Sequence, residues 1–217
     1  MQTNNDARFW DRAARKYAAS TISDPAGYER TLERARYYLK PADVALEVGC
    51  GTGTTALRLA PSVARLAATD ISNEMLAIAR EKAQAQGLAN VEFVCAPADA
   101  SPWPNASFDA AMAFNLLHLV RDRPAVLGAI HRLLKPGALF ISKTPSIQEM
   151  NPLIRLAVPL MQAIGQAPYV GIFSAEQLER EVEAAGFEII ERARHASRGQ
   201  DVRPFLVARA SHRPPET

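Results

Sequence analysis

Residues 43–61 read DVALEVGCGTGTTALRLAP, and this stretch decides the fold. Val44–Val48 is short, apolar on both faces and followed by glycines, which is typical of a buried strand. Residues 54–60 then follow a helical pattern. Glycines between a strand and a helix let the backbone turn tightly and approach a ligand without a Cβ in the way. The stretch therefore predicts a strand–turn–helix unit with a ligand site at its turn.

The alternation of strand and helix continues on the C-terminal side of this unit. Further strands are predicted at 64–69, 91–95, 108–113, 138–142, 187–194 and 205–209, and helices at 72–86, 124–134 and 175–185. Two amphipathic helices, 5–18 and 25–39, precede it. Such alternation predicts an α/β fold with a doubly wound, mostly parallel sheet. The last two strands are joined by a short polar connection and should pair antiparallel.

Length and composition favour one soluble domain. The chain has 217 residues, 48% of them hydrophobic, with a formal net charge of +2, so bulk charge does not indicate nucleic acid. Its two cysteines fit neither a disulfide framework nor metal-ligand spacing, so no metal site is predicted. The apolar segment 152–165 is too short for a membrane span, and the N-terminal residues are polar. We expect a cytoplasmic monomer or homodimer.

A single domain with four segments is expected. Residues 1–40 would form N-terminal helices, 41–144 the cofactor-binding core, and 173–217 the last helix and strand pair. Residues 145–172 are an insertion between the fifth strand and the next helix. Prolines divide it into short pieces, and its apolar residues lack one clean helical stripe. It is expected to cap the acceptor side, although packing against a second copy would also explain its apolar character.

The glycine turn, Gly49, Gly51 and Gly53, has two interpretations. Residues 51–56 fit the G-x-G-x-x-A form of the dinucleotide fingerprint, which would place a pyrophosphate at the helix N-terminus. Glu47, however, lies two residues before the first glycine and would repel a pyrophosphate. A carboxylate there favours a ligand that carries an ammonium and a sulfonium. Alternatively, Glu47 could be a strand-end residue paired with an arginine.

Two more acidic residues follow successive strands. Asp70 ends the second strand, where a carboxylate can accept both ribose hydroxyls of either kind of nucleotide. Asp99 follows the third strand, where an acid suits the exocyclic amine of an adenine. Asp99 could instead cap the loop ahead of Ser101 and Pro102.

Together, these stretches resemble the ordered motifs of the class I S-adenosylmethionine-dependent methyltransferases. The resemblance is carried by LEVGCGTG (46–53), ATDIS (68–72), the pair Ala98-Asp99, FDAAMAFNLLHLV (108–120) and HRLLKPGALFIS (131–142). FWDRAARKYA (9–18) is similar to the N-terminal helix of small-molecule members, such as those that act on quinones. The family implies a Rossmann-like, seven-stranded sheet with the last strand antiparallel, and S-adenosyl-L-methionine as the cofactor.

The resemblance also implies a set of cofactor contacts. The three glycines would flank the methionine part, Asp70 with Ile71 the ribose, and Ala98 with Asp99 the adenine. Asn115 matches the position beside the sulfonium. Tyr17 matches an aromatic residue that closes over the cofactor, although a helix-face residue packed on the core explains it equally well.

The methyl acceptor is predicted to be a small molecule. The segment after the fourth strand lacks the Asn/Asp-Pro-Pro-Tyr/Phe motif of enzymes that methylate exocyclic amines of bases, and no basic extension indicates nucleic acid. His118 is the candidate general base if the acceptor must lose a proton. Two alternatives remain open: a nicotinamide-dependent oxidoreductase, and a non-catalytic domain that keeps the cofactor fold.

Overall fold

The computed structural model describes residues 2–150, 162, 167–199 and 201–211 of the chain. Its helices are α1 (Gln2–Ala18), α2 (Pro25–Tyr38), α3 (Thr54–Leu59), α4 (Asn73–Ala85), α5 (Arg123–Leu133) and α6 (Ala175–Ala184). Its strands are β1 (Val44–Val48), β2 (Arg65–Asp70), β3 (Val91–Cys95), β4 (Phe108–Phe114), β5 (Leu134–Lys143), β6 (Phe187–Ala193) and β7 (Phe205–Ala210). Short 3₁₀ turns lie at Ala60–Ser62 and Ile147–Glu149.

The seven strands form one sheet in the order β3-β2-β1-β4-β5-β7-β6. The first five strands of the chain pair in parallel, whereas β7 is antiparallel to both β5 and β6. The predicted doubly wound α/β class and the antiparallel last strand are confirmed. Strand order reverses between β1 and β4, and such a switch point opens a crevice at the carboxyl ends of the strands.

The two faces of the sheet carry separate cores. Along β4, Ala111 and Ala113 pack with α5 and α6, whereas Ala110 and Met112 pack with α2, α3 and α4. Both faces are covered, which explains why the central strands β1 and β4 are mostly apolar on both sides. The polar exception within β1 is Glu47, which shares the parity of Ala45 and therefore lies on the α2–α3 side.

Serine side chains cap the N-termini of two helices. Ser72 accepts a hydrogen bond from the Met75 N–H at the start of α4, and Ser174 accepts one from Gln177 at the start of α6. Ser174 and Gln177 do not form a reciprocal capping box, because the Gln177 side chain donates to Glu181.

The predicted boundary at Lys135-Pro136-Gly137 differs from the structure. These residues were expected to separate the fifth helix from its strand, but α5 ends at Leu133 and β5 begins at Leu134. Leu134 pairs with Phe108, and the next paired residue of β5 is Leu139, opposite Ala110. The intervening residues bulge out of the ladder, with Gly137 at a φ of +78°. Periodicity does not reveal a bulge, because the extra residues lie in an otherwise continuous strand.

The turn after β1 requires glycine at Gly53. Its φ is +73°, and a Cβ built there would lie 2.8 Å from the Cβ of Ala79 on α4. Gly87, which follows α4, also has a positive φ (+65°), but a Cβ there would meet no atom within 4 Å. Backbone strain would arise from a side chain at either position, whereas a steric conflict would arise only at Gly53.

Within the described residues, the structure has no helix whose length and apolar character would suffice to span a bilayer.

We expect Gly53→Ala to destabilise the protein more than Gly87→Ala. Gly87→Ala should cost about 1–2 kcal/mol from left-handed backbone strain alone. Gly53→Ala should add about 1–3 kcal/mol, because α4 must move away from the new methyl group. Urea unfolding monitored by circular dichroism measures both. Equal losses in the two variants would show that α4 does not restrict the turn.

Candidate functional site

A cavity of about 610 Å³ opens at the carboxyl ends of β1, β2 and β4. It brings together nearly all of the site residues predicted from the sequence: Tyr17, Glu47, Gly49, Gly51, Asp70, Ile71, Ala98, Asp99, Asn115 and His118. Gly53 does not line it, because this glycine lies behind the turn against Ala79 and Phe93. Parallel strands end at the same edge of a sheet, so residues distant in sequence converge there.

Asp70 holds the glycine turn in place. Its Oδ2 accepts the N–H of Gly51 at 2.9 Å, and its Oδ1 accepts the N–H of Ser72 at 2.9 Å. Burial raises the pKa of Asp70, although these backbone hydrogen bonds favour the charged form. A carboxylate has about four acceptor sites, so the side chain can still accept a hydroxyl from a ligand.

Glu47 is a buried carboxyl group with no basic side chain paired to it among the described residues. The residue is 2% exposed, and its Oε2 has no hydrogen-bond partner among the described residues. No arginine of the described chain pairs with it, so the arginine-paired alternative is not seen. Burial, and next the charge of Asp70, raise the pKa of Glu47 to about 8. A cationic ligand would stabilise the ionised form of this group.

Helix α1 forms the roof of the cavity. Asp6, Trp10 and Tyr17 line it, and the Trp10 and Tyr17 rings meet edge to face at 6.1 Å. Asp11 fixes the helix to α4, because its Oδ1 accepts the Ser72 hydroxyl at 2.6 Å. Tyr17 is 46% exposed and would touch a Cβ at Gly51, so it lies over the turn and is not packed into the core. Burial, followed by the charges of Asp70 and Glu47, raises the pKa of Tyr17.

The segment after β4 forms the opposite end of the cavity. Asn115 has a φ of +53°, which asparagine tolerates better than most residues, and its N–H donates to the Lys143 carbonyl at 2.7 Å. His118 follows, with Nδ1 2.9 Å from the hydroxyl oxygen of Thr144. Burial lowers the pKa of His118 to about 4. The histidine is therefore neutral near pH 7.

A clasp formed by three residues joins α1 to the far wall. Arg121 lies over the Tyr169 ring at 4.3 Å from its centroid, and its Nη2 is 3.6 Å from Asp6 Oδ1. The neighbours of Tyr169, Pro168 and Val170, also line the cavity. These residues belong to the predicted cap at 145–172; of that segment, 151–161 and 163–166 lie outside the described residues.

The charged lining of the cavity is strongly acidic. Its carboxylates are Asp6, Glu47, Asp70, Asp99 and Asp122, whereas Arg121 is the one lysine or arginine among the described lining residues. Lys82, on α4, donates to Thr52 behind the turn and does not line the cavity. Such a site suits a cationic ligand and opposes a pyrophosphate.

Several lining residues were not identified from the sequence. Asp6, Trp10 and Arg121 lie in the cavity wall, and Thr144 contacts His118 from behind. The helical spacing of Asp6 and Trp10 on α1 could have indicated a shared face. The contacts of Thr144, Arg121 and Tyr169 cross between segments far apart in sequence, and no local pattern reports them.

The chain is similar to known methyltransferases. A family model described as a methyltransferase domain matches residues 45–137. The ubiquinone/menaquinone biosynthesis C-methyltransferase UbiE of Brucella anthropi is 38% identical over 109 residues, which cover 47% of this chain and 40% of that protein. The methyltransferase YcgJ of Bacillus subtilis is 30% identical over 141 residues, with coverages of 61% and 56%. The chain thus spans about half the length of the relatives it matches.

Solved structures share the fold at low sequence identity. The YcgJ crystal structure superposes with a TM-score of 0.70 at 17% identity, covering 85% of this chain and all of that chain. The phosphoethanolamine N-methyltransferase 2 of Haemonchus contortus, in complex with phosphomonomethylethanolamine and S-adenosylhomocysteine, has a TM-score of 0.74 at 18% identity, with coverages of 95% and 60%. These likenesses confirm the Rossmann-like architecture.

We expect Glu47→Gln to alter the pH dependence of stability. With its pKa raised, Glu47 holds a proton in the folded state from about pH 5 to 8, whereas the unfolded chain releases it. The wild type should therefore lose unfolding free energy as the pH rises through this range, by up to about 1.4 kcal/mol per pH unit from this group. The glutamine variant should lack that contribution. Urea unfolding at several pH values measures the slope.

The matched control is Glu188→Gln, which removes an exposed carboxyl group from β6. It should retain the wild-type slope. If Glu47→Gln also retained the wild-type slope, the carboxyl group would be ionised in the folded protein, and its assignment as an uncompensated acid would be wrong.

Proposed function

Because the chain belongs to the class I S-adenosylmethionine-dependent methyltransferase family, we propose that it transfers a methyl group from S-adenosylmethionine to a small-molecule acceptor. The observation that carries this proposal is the acidic lining of the cavity around an open glycine turn. The cofactor carries an ammonium and a sulfonium but no phosphate. An acidic site with an uncompensated Glu47 fits that charge pattern, and it disfavours the nicotinamide alternative.

The residues at the turn fit the cofactor sterically as well. Gly51 leaves open the space beneath Tyr17, since a Cβ there would lie 3.7 Å from the tyrosine ring. Glu47, with its free Oε2, would receive the ammonium, and the glycines would flank the methionine chain. Asp70, whose carboxylate can accept further hydrogen bonds, would accept the ribose hydroxyls.

The remaining contacts follow the course of the cavity. Ile71, Ala98 and Asp99 would hold the adenine at the β2–β3 side, and Asn115 would lie beside the sulfonium. Tyr17 would close over the cofactor from α1. Once bound, the cofactor would supply an electrophilic methyl group.

The protein contributes chiefly alignment and exclusion of water. Val120, Pro168 and Val170 line the acceptor end with apolar surface, and the clasp of Arg121 with Tyr169 and Asp6 covers it. An in-line displacement gains most from holding the nucleophile at reacting distance in a dry site. We propose that residues 145–172 act as the cap on this end.

The proposed acceptor is a small apolar ring compound, and the proposed setting is the cytoplasm. Several relatives are named for quinone substrates, among them the 2-phytyl-1,4-naphtoquinone methyltransferase of a Nostoc species. An apolar acceptor end agrees with that class of molecule. The proposal includes no nucleic-acid partner, and it places the protein as a monomer or homodimer.

We expect Asp70→Ala to weaken S-adenosylhomocysteine binding by about 1.5–3 kcal/mol, the scale of hydrogen bonds to a charged group. Isothermal titration calorimetry measures the change, and Glu188→Ala is the control for removing a carboxyl group far from the site. Because Asp70 also holds the turn, Asp70→Asn should retain more affinity than Asp70→Ala. Unchanged affinity in Asp70→Ala would remove the residue from the cofactor site.

Asp99→Ala tests the adenine end of the site. The side chain is exposed at the rim of the cavity, so the variant should keep its fold by circular dichroism and still bind S-adenosylhomocysteine less tightly.

Tight NADH binding by the wild type would contradict the methyltransferase proposal. Cofactor binding without transfer of a labelled methyl group to any acceptor, including 1,4-naphthohydroquinone, would favour a non-catalytic domain.

A further inference from the structure

A single hydroxyl group fixes His118 from behind. Thr144, fully buried just after β5, accepts the backbone N–H of His118 at 3.2 Å. The same oxygen lies 2.9 Å from Nδ1 of the imidazole. The carbonyl of His118 in turn accepts the N–H of Gly171 at 2.8 Å. Backbone and ring are thus both held, so the ring has a defined orientation.

The single hydrogen of the Thr144 hydroxyl determines the tautomer of the His118 ring. A threonine hydroxyl has one hydrogen to donate, and a buried hydroxyl needs an acceptor for it. Among the residues that the structure describes, the one acceptor within reach of the Thr144 hydroxyl is Nδ1 of His118. Thr144 therefore donates to Nδ1, and Nδ1 carries a lone pair. A neutral imidazole with a lone pair on Nδ1 carries its hydrogen on Nε2.

Nε2, on the side of the ring away from Thr144, is the nitrogen left for a ligand in the cavity. His118 lines the cavity beside Leu119 and Val120, and among the described residues its ring makes one hydrogen bond, at Nδ1. Burial lowers the pKa of the ring to about 4, so the ring stays neutral over the working range of most enzymes. The apolar neighbours strengthen any hydrogen bond made there, because water does not compete for it.

We propose that His118 donates a hydrogen bond from Nε2–H to an oxygen lone pair of the methyl acceptor, and that Thr144 is the positioning residue that sets this tautomer. That the bound compound is the methyl acceptor rests on the proposed function, whereas the hydrogen on Nε2 does not. The ligand class is a small apolar compound with a carbonyl or phenolic oxygen. A nitrogen that already carries a hydrogen cannot remove a proton, so His118 orients the acceptor and is not its general base.

The tautomer is measured on the protein alone. In a protein labelled with 15N-histidine, two-bond 1H–15N correlations distinguish the nitrogen that carries hydrogen from the one that does not. The signals of His118 are those absent from a His118→Leu variant. We expect hydrogen on Nε2 in the wild type and in Thr144→Ser, which keeps the hydroxyl. In Thr144→Val, the Nδ1–H form should appear. Hydrogen on Nδ1 in the wild type would overturn the proposal.

The hydrogen bond is measured with a matched pair of probes. The compounds 1-tetralone and tetralin have the same fused ring system, but only the ketone offers an oxygen acceptor. With S-adenosylhomocysteine present, the wild type should bind 1-tetralone roughly fivefold more tightly than tetralin, the scale of one net hydrogen bond. His118→Leu should lose this preference while retaining affinity for S-adenosylhomocysteine. No preference in the wild type, or an equal preference in His118→Leu, would overturn the proposal.

These measurements are separate from the test of the proposed function. Neither the tautomer nor the probe preference requires methyl transfer, so a protein that never transfers a methyl group can still show both. Conversely, a protein that methylates its acceptor but carries hydrogen on Nδ1 of His118 would keep the proposed function and lose this inference.

Discussion

The whole site depends on one carboxylate that joins three parts of the chain. Asp70 binds the N–H of Gly51 with one oxygen and that of Ser72 with the other, so the turn after β1 and the start of α4 share an anchor. Ser72 then caps α4 and donates its hydroxyl to Asp11 on α1. The same short hydrogen-bond network therefore positions both the glycine turn and α1, which forms the roof of the cavity. A carboxylate suits this task because it accepts several hydrogen bonds at once.

The sequence predicts most of the fold, because the pattern of apolar residues in its strands and helices determines which residues enter the two cores. Short apolar strands between amphipathic helices identify a parallel sheet, and the glycine turn locates its ligand edge. The bulge after Leu134 was missed, since no local pattern marks a strand that starts directly after a helix. The convergence of Glu47, Asp70 and Asp99 was expected because each follows or ends a strand. That Glu47 Oε2 has no partner among the described residues was not predictable, because only three-dimensional packing decides which arginines come near.

The acceptor end illustrates what sequence reasoning leaves open. His118 was identifiable as a polar residue after β4, but its role depends on which nitrogen holds the hydrogen. That depends on Thr144, which comes from a different strand. The fold itself does not determine the reaction, because one α/β fold carries many different activities. The reaction is therefore decided by the few side chains at the acceptor end.

The position of β7 in the sheet affects the order in which the chain can fold during synthesis. β7 follows β6 in the chain but lies between β5 and β6 in space, antiparallel to both. As the polypeptide leaves the ribosome, β6 has no partner strand until residues 205–210 have emerged. The five parallel strands, which carry the glycine turn and the acidic residues, can assemble earlier. The nascent protein thus passes through a stage in which the edge of β5, later covered by β7, is exposed.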